Sequence, residues 1–231
     1  EIVAQAIAAA IEKTGMPKGT FGFVQSNTNE AGEVLVQHPL TRAVGFTGSY
    51  RGGKALFDLA MARPEPIPFF GELGAINPVF VLHAAAANRA AAIGTGWAGS
   101  LTMGVGQFCT NPGVVIVPDA LADAFVAAAQ DALTQVAPAA MLTGGTAEGY
   151  RAGVTQTASH AGVMTCLSAG GTGREGGPAL FVVSGADWLE NPDLAAEMFG
   201  PAGIVIRAAD TDQVQQIAQA LHGQLTCTLQ M

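Results

Sequence analysis

The sequence predicts an α/β protein, a parallel sheet whose strands are joined by helices. Helix-like and strand-like segments alternate along most of the 231 residues, which is typical of that class. Hydrophobic residues make up 49% of the chain and charged residues 12%, which provides for a sizeable core and argues against disorder. Three prolines in residues 63–68 interrupt the alternation, because proline fits neither a helix interior nor a central strand. We therefore place a domain boundary near residue 75.

Each element has its own signal. Apolar residues at helical spacing predict a helix over residues 1–14, which Gly15 and Pro17 end. The other segments before the boundary are a strand at 20–25, a short helix at 31–38, a buried-type strand at 43–48, a helix at 52–62 and a short segment at 69–73. Those after it are strands at 78–82, 113–117, 178–184, 203–208 and 225–229, and helices at 84–105, 119–136 and 211–222. Residues 144–162 fit no single pattern.

Composition excludes several classes of function. The formal net charge is −8 and the 10 Lys and Arg residues are scattered singly, so nucleic acid is not expected as a partner. No run approaches the roughly 18 apolar residues of a membrane span. Cysteines are three in number, with no CxxC pair, which favours a reducing compartment such as the cytoplasm over disulfides or a zinc site. No metal site is predicted.

The chain ends carry their own expectation. No signal peptide is visible, no initiator Met is present, and the sequence stops just after a strand-like run. We expect both ends to be cut from a longer protein.

Glycine-rich motifs are candidates for binding phosphate. Two GxGxxG matches, at 94–99 and 171–176, lack the strand–turn–helix context that such a site requires, and we discount both. A better candidate is FTGSYRGG at 46–53, where a strand ends, Gly48 and Ser49 make a turn, and a helix begins. The helix N-terminus there suits an anion or a cofactor. An ordinary tight turn explains the same pattern equally well.

Cys109 lies in GQFCTNPG, on a predicted loop between a helix and a strand. Loops often display reactive groups, although an unperturbed thiol is only about 3% ionised at pH 7 and needs activation. The alternative is a buried structural cysteine, which we expect for Cys166 and Cys227. A cysteine–histidine hydrolase or acyltransferase would require one of the four histidines to approach Cys109.

Glu72 lies between aromatic and aliphatic residues in FFGELGAINP. Apolar surroundings raise the pKa of a carboxyl group by desolvation, which suits a general base. The alternative is a loop carboxylate that points at water. The flanking Phe69 and Phe70 favour the first interpretation.

Four motifs in order, FTGS, GELG, GQFC and EMFGP, resemble those of the aldehyde dehydrogenase superfamily. The resemblance runs through the whole chain. The stretch RPEPIPFFGELGAINPVF resembles the branch of 2-oxoglutarate semialdehyde dehydrogenases and an NADP-dependent fatty-aldehyde enzyme.

The resemblance implies a partial Rossmann-like dinucleotide-binding domain at 1–74 and an incomplete catalytic domain at 75–231. It implies that Cys109 attacks an aldehyde to give a thiohemiacetal, that hydride passes to NAD or NADP, and that Glu72 activates the water that hydrolyses the thioester. The backbone N–H of Cys109 would supply half of an oxyanion hole.

The resemblance also assigns the cofactor side of the site. Gly48 and Ser49 would lie beside the dinucleotide, and Leu73 would contact the nicotinamide carboxamide. Glu197 and Phe199 would hold the nicotinamide ribose. The partners implied are a small-molecule aldehyde and, for the full-length protein, further copies of itself.

Two departures accompany the resemblance. Ala75 stands where the family commonly has a second glycine after ELG. Family members are also longer at both ends, so we expect this chain alone to bind cofactor poorly and to be an inactive or weakly active fragment.

Overall fold

A computed structural model describes residues 1–231, which divide into two compact units, Glu1–Gly74 and Ala75–Met231. Both units contain helices and parallel strands, so the predicted α/β class is confirmed. None of the helices is long and apolar enough to cross a membrane.

The first unit is a small helix–strand arrangement. Its elements are α1 (Ile2–Thr14), α2 (Glu30–Gln37), β1 (Val44–Gly48), α3 (Tyr50–Met61) and β2 (Phe69–Leu73). Strands β1 and β2 pair in parallel and form a two-stranded sheet. Only Val36, Ala60 and Ile67 form its buried core, and α1 buries no residue at all.

Two predictions for the first unit are wrong. Residues 20–25 form no strand and are exposed, since β-propensity creates a strand only where a neighbouring strand accepts its hydrogen bonds. The strand at β1 forms but is not buried. Val44 and Phe46 are half-buried and the rest of β1 is exposed, because a sheet of two strands covers little of either face.

The second unit carries most of the regular structure. Its helices are α4 (His83–Thr102), α5 (Ala122–Thr134), α6 (Gly144–Ser159), α7 (Gly185–Glu190) and α8 (Thr211–Ala220). Its strands are β3 (Val79–Val81), β4 (Val114–Pro118), β5 (Ala139–Ala140), β6 (Met164–Ser168), β7 (Glu175–Gly176), β8 (Ala179–Ser184), β9 (Ala202–Ala208) and β10 (Thr228–Gln230). Short 3₁₀ helices lie at Met103–Gly106, Asp119–Leu121 and Pro192–Ala195.

Six strands form the central sheet, in the order β10-β3-β4-β9-β8-β6. Every pairing is parallel except that between β8 and β6. No sequence pattern predicts antiparallel β6, because all of its residues are half-buried or exposed and leave no clear apolar pattern. The ambiguous residues after Thr143 form α6, and the Thr143 hydroxyl caps its first turn by accepting from Thr146 N at 3.0 Å.

Helices cover both faces of the sheet. Alternate residues of a strand point to opposite faces, so Val115 and Val117 of β4 join one core cluster while Val114 and Ile116 join another. Helices α4 and α5 supply the first cluster, and α6, α7 and α8 supply the second. Burial on both faces explains the continuous apolar runs of the central strands.

Candidate active site

The site residues of the second unit come from the amino ends of four neighbouring strands. Thr226 precedes β10, Asn77 precedes β3, Cys109 precedes β4, and Glu197 and Phe199 precede β9. These strands are adjacent and parallel in the sheet. Their amino ends therefore meet at one edge, and the sheet itself gathers residues that are far apart in sequence.

A strained turn leads into Cys109. Gly104, Val105 and Gly106 have φ values of +56°, +58° and +64°. A β-branched residue rarely adopts that region, so its surroundings must hold Val105 there. A Cβ on Gly106 would collide with the backbone of Gly200 and Pro201. Glycine at 106 thus allows the loop of the candidate nucleophile to pass directly against the segment that follows Phe199.

Several hydrogen bonds fix the loop that carries Cys109. The Cys109 carbonyl accepts from Asn77 Nδ2 at 2.8 Å. Beyond it, Asn111 Nδ2 donates to the Gly200 carbonyl at 3.0 Å, and Trp97 Nε1 donates to the Pro112 carbonyl at 2.8 Å. The loop is therefore anchored at the cysteine and on its carboxyl-terminal side.

The three cysteines differ in exposure. Cys109 is exposed, so it does not fit the alternative of a buried structural cysteine, and no histidine is hydrogen-bonded to its thiol. Cys166 lies in β6 against the core, and burial raises the pKa of its thiol. The prediction for Cys227 is wrong, because it is exposed and lies just before β10.

Glu197 is a half-buried carboxylate at the same sheet edge. Its Oε1 accepts from the Ala75 amide at 3.3 Å. Desolvation by burial raises the pKa of Glu197, and the Ala75 hydrogen bond partly opposes that shift. Phe199, two residues on, is also half-buried and lines the same small cavity as Glu197.

Glu72 does not lie in an apolar niche. It belongs to the first unit, where it is exposed on β2 opposite Thr47. The expectation of an apolar niche is therefore wrong for this chain. The neighbouring Phe70 is itself 70% exposed, so it does not shield the carboxylate from water.

Gly48, Ser49 and Leu73 lie at the carboxyl ends of β1 and β2. Ser49 is the N-cap of α3, and its hydroxyl accepts from Gly52 N at 3.2 Å. A Cβ on Gly53 would collide with the Leu73 side chain, so glycine there lets α3 pack closely on β2. The turn is thus a strand–turn–helix unit with a capped, glycine-rich helix start.

The two GxGxxG motifs lie elsewhere. Residues 94–99 are inside α4, where Gly94 packs against the backbone of Phe125. Residues 171–176 are in the connection between β6 and β8. Neither stands between a strand and a following helix, in agreement with our discounting them.

Comparison with known proteins identifies the family. The family model described as "Aldehyde dehydrogenase family" matches residues 1–229. The chain belongs to the aldehyde dehydrogenase family.

Its relatives include two semialdehyde dehydrogenases. The chain is 46% identical to alpha-ketoglutaric semialdehyde dehydrogenase 2 of Azospirillum brasilense, a match covering 100% of this chain and 45% of the relative. It is 40% identical to alpha-ketoglutaric semialdehyde dehydrogenase of Acinetobacter baylyi, over 99% of this chain and 44% of that protein. The chain thus spans about half the length of the curated relatives it matches.

Solved structures agree on the fold. An NAD-dependent benzaldehyde dehydrogenase from Corynebacterium glutamicum superposes with a TM-score of 0.80 at 25% identity, over 97% of this chain and 50% of that one. A gamma-glutamyl-gamma-aminobutyraldehyde dehydrogenase from Burkholderia cenocepacia gives a TM-score of 0.81 at 22% identity, over 99% of this chain and 47% of that one.

Residues at two turns fit parts of a nicotinamide dinucleotide. In the first unit, the amides of Tyr50 and Arg51 at the start of α3 have no intrahelical acceptor, which suits a phosphate. In the second unit, the Glu197 carboxylate can accept hydrogen bonds from hydroxyl groups such as those of a ribose. The first unit therefore offers N–H donors that suit the phosphates of the cofactor, and the second unit offers a carboxylate acceptor that suits its ribose hydroxyls.

Asn77 is the polar residue that the sequence analysis missed. It is buried, with 2% of its surface exposed, and it contacts the Cys109 loop. Its only sequence signal is its place inside the GELGAINP motif, where an asparagine before a proline predicts a turn.

Proposed function

We propose that the protein oxidises an aldehyde to a carboxylate with NAD or NADP, through a covalent intermediate on Cys109. The observation that carries the proposal is the exposed Cys109 thiol on an anchored loop, at the sheet edge that also presents Glu197. Family membership supports the reaction class.

The first step at Cys109 forms a covalent adduct with the aldehyde. The thiolate sulfur bonds to the carbonyl carbon, the π electrons of the C=O bond move to oxygen, and protonation gives a thiohemiacetal. The backbone N–H of Cys109 stabilises the developing oxyanion. A bound NAD(P)⁺ supplies the hydride acceptor that converts this adduct to a thioester.

Hydrolysis completes the cycle. By the role that the family resemblance implies for it, Glu72 would take a proton from water, the oxygen of that water would bond to the thioester carbon, and the carbon–sulfur bond would break to release the carboxylate and the Cys109 thiolate. Aldehyde, NAD(P)⁺ and water thus give carboxylate, NAD(P)H and two protons. By the family resemblance, Gly48 and Ser49 would border the dinucleotide, Leu73 would contact the carboxamide, and Glu197 and Phe199 would hold the nicotinamide ribose.

The proposed substrate is 2-oxoglutarate semialdehyde. Support comes from the printed names of the two semialdehyde dehydrogenases that are 46% and 40% identical to this chain. We further propose that the protein works in the cytoplasm, which its cysteine usage favours, and as a homo-oligomer, which the family resemblance implies.

The test is run on the longest natural chain that contains these 231 residues. NAD(P)H absorbance is followed with 2-oxoglutarate semialdehyde and, as a matched uncharged aldehyde, pentanal. We expect kcat/KM to favour the semialdehyde by about tenfold or more, since a hydrogen bond to a charged group such as a carboxylate contributes about 1.5–3 kcal/mol.

Two substitutions then test the residue roles. Cys109→Ser should abolish NAD(P)H formation, because the hydroxyl is a much weaker nucleophile than the thiolate. Glu72→Gln should keep the first burst of NAD(P)H but slow steady turnover about 10²-fold or more, because only hydrolysis loses its base. Cys227→Ser, at another exposed cysteine, is the control. Full turnover by Cys109→Ser would refute the proposal, and a Glu72→Gln enzyme without a burst would refute the role of Glu72.

A further inference from the structure

A buried asparagine lies close in sequence to Glu72 and close in space to the Cys109 loop. Asn77 has a backbone φ of +45°, in the left-handed region, and it precedes Pro78. A residue before proline favours extended backbone, so this conformation persists only because its surroundings hold it. The contacts of the Asn77 side chain, beside the Cys109 loop, show what holds this backbone conformation.

One end of the Asn77 side chain binds the loop of the nucleophile. Nδ2 donates to the carbonyls of Cys109, at 2.8 Å, and of Asn111, at 3.0 Å. Each N–H of the amide thus has an acceptor, and both acceptors lie on the loop around Thr110. A carbonyl oxygen that accepts from Asn77 cannot turn toward the Cys109 sulfur, where it would repel a thiolate.

The other end binds the segment before β10. Asn77 Oδ1 accepts from Thr226 N at 3.0 Å and from Thr226 Oγ1 at 3.1 Å. Gln224 Oε1 accepts from the amides of Ile76, at 2.8 Å, and Asn77, at 3.1 Å. With donors on one side and acceptors on the other, the amide has a single orientation that satisfies all its partners.

We propose that Asn77 is a positioning residue for Cys109. It fixes the two carbonyls that flank Thr110 and thereby holds the thiol and its backbone N–H ready to meet a carbonyl carbon. Gln224 and Thr226 brace Asn77 from the opposite side. The inference rests on the proposed role of Cys109 as the nucleophile.

The acceptor end of Asn77 has a structural role of its own. Strand β10 pairs with β3, and the bonds to Thr226 help to set that register. The donor end contributes nothing to this pairing. Asn77→Asp separates the two roles, because a carboxylate keeps the shape and still accepts from Thr226 but cannot donate to Cys109 or Asn111.

The experiment compares wild type, Asn77→Asp and Asn77→Gly in the longest natural chain that contains these residues. Glycine adopts the left-handed backbone freely and removes all side-chain bonds without adding charge. Asn88→Asp, at an exposed position of α4, controls for one added charge. For each variant we measure kcat and KM for NAD(P)⁺-dependent oxidation, and the thermal midpoint of unfolding. Peptide mass spectrometry follows the rate of iodoacetamide modification at each cysteine as a function of pH.

We expect Asn77→Asp and Asn77→Gly to lower kcat at least about tenfold with KM for the nucleotide within about threefold, since small misplacements of a reacting group cost about 10²-fold. The rate of Cys109 modification at neutral pH should fall about threefold in both variants. Profiles of Cys166 and Cys227 should not move. If both variants match wild type within twofold in kcat and in the Cys109 profile, the positioning role is refuted.

The proposed function and the role of Asn77 can fail independently of each other. If wild type forms no NAD(P)H with any aldehyde, the proposed function fails, and the modification profile, which needs no cofactor, still decides the role of Asn77. If a residue-77 variant does not fold, Gln224→Ala takes its place. This substitution removes the acceptor for the backbone N–H of Asn77, and it is made at a half-exposed residue. An unchanged Cys109 profile in Gln224→Ala would then count against the inference.

Discussion

Single side chains of the second unit join stretches of chain that are far apart in sequence. Glu197 accepts from the amide of Ala75, 122 residues away, and Asn77 contacts both Cys109 and Thr226. Such contacts place charges in environments that neighbouring residues alone do not set. For Glu197, this environment changes the pKa of the carboxyl group.

Burial raises the pKa of Glu197, so the folded chain binds its proton more tightly than the unfolded chain does. The free energy of unfolding therefore falls as pH rises from about 4 through the raised pKa. Glu197→Gln does not titrate and keeps an oxygen for the Ala75 amide. We expect its stability relative to wild type to increase from about pH 4 to about pH 7, measured by urea unfolding with Trp97 and Trp188 fluorescence.

Glu148→Gln, at an exposed position of α6, is the control for the loss of one carboxylate. The two tryptophans both lie in the second unit, so their fluorescence reports on the unit that contains residue 197. The same pH trend in both variants would show that burial of Glu197 is not its cause.

The sequence predicts some of the candidate site residues and not others, for a physical reason. Cys109, Glu197 and Phe199 stand in motifs whose order is recognisable along the chain. Asn77 acts through hydrogen bonds across 32 and 149 residues, which no local pattern encodes. Exposure of Glu72 is likewise a property of how its surroundings pack, and its aromatic neighbours in sequence gave the wrong expectation.

At the level of elements, α4 and α5 are packed closely at one glycine. A Cβ on Gly94 would lie 2.5 Å from the Phe125 carbonyl oxygen, while a Cβ on Gly96 would meet nothing within 4 Å. Both glycines lie in the same helix, so alanine at either position gains the same helix propensity. Comparing alanine at the two positions therefore isolates the free-energy cost of disturbing the close approach of α4 to α5.

We expect Gly94→Ala to have an unfolding free energy lower than that of Gly96→Ala by about 1–3 kcal/mol, because a backbone carbonyl cannot move aside as a side chain can. Gly96→Ala itself should stabilise the chain by about 0.5–1 kcal/mol. Urea unfolding followed by tryptophan fluorescence measures both. Equal stability of the two variants would mean that α4 and α5 can separate without cost.

Elements were predictable where burial and local pattern agree. Strands β4, β8 and β9 are buried on both faces and stand out as apolar runs between turn residues. Residues 20–25 have a similar local pattern and form no strand, since pairing depends on a neighbour elsewhere in the chain. Strand β6 shows the opposite case: it has no local strand pattern, yet it forms because β8 is available to pair with it. That pairing does not need a buried apolar stripe on β6.

For the molecule as a whole, the two units differ greatly in their cores. Three residues form the buried core of the first unit, whereas both faces of the six-stranded sheet are covered in the second. Residues 15–29 contain no helix or strand, and none of them is buried. Local opening should therefore concentrate in the first unit.

Limited trypsin digestion of the 231-residue chain tests this difference. We expect the first cut after Lys18, which lies in that exposed stretch, at least about tenfold faster than cuts in the second unit. Arg207 is the matched slow site, because its guanidinium is held by Asp119 and Asp123. Mass spectrometry of early products should show a fragment that starts at Gly19, and early cleavage after Arg207 would contradict the expectation.

The division into two units coincides with a division of reactive groups. All three lysines, Lys13, Lys18 and Lys54, belong to the first unit, and all three cysteines belong to the second. Amine-directed and thiol-directed fluorophores therefore attach to different units of the unmodified sequence. Energy transfer between the two dyes makes the separation of the units, and its response to added nucleotide, directly observable in solution.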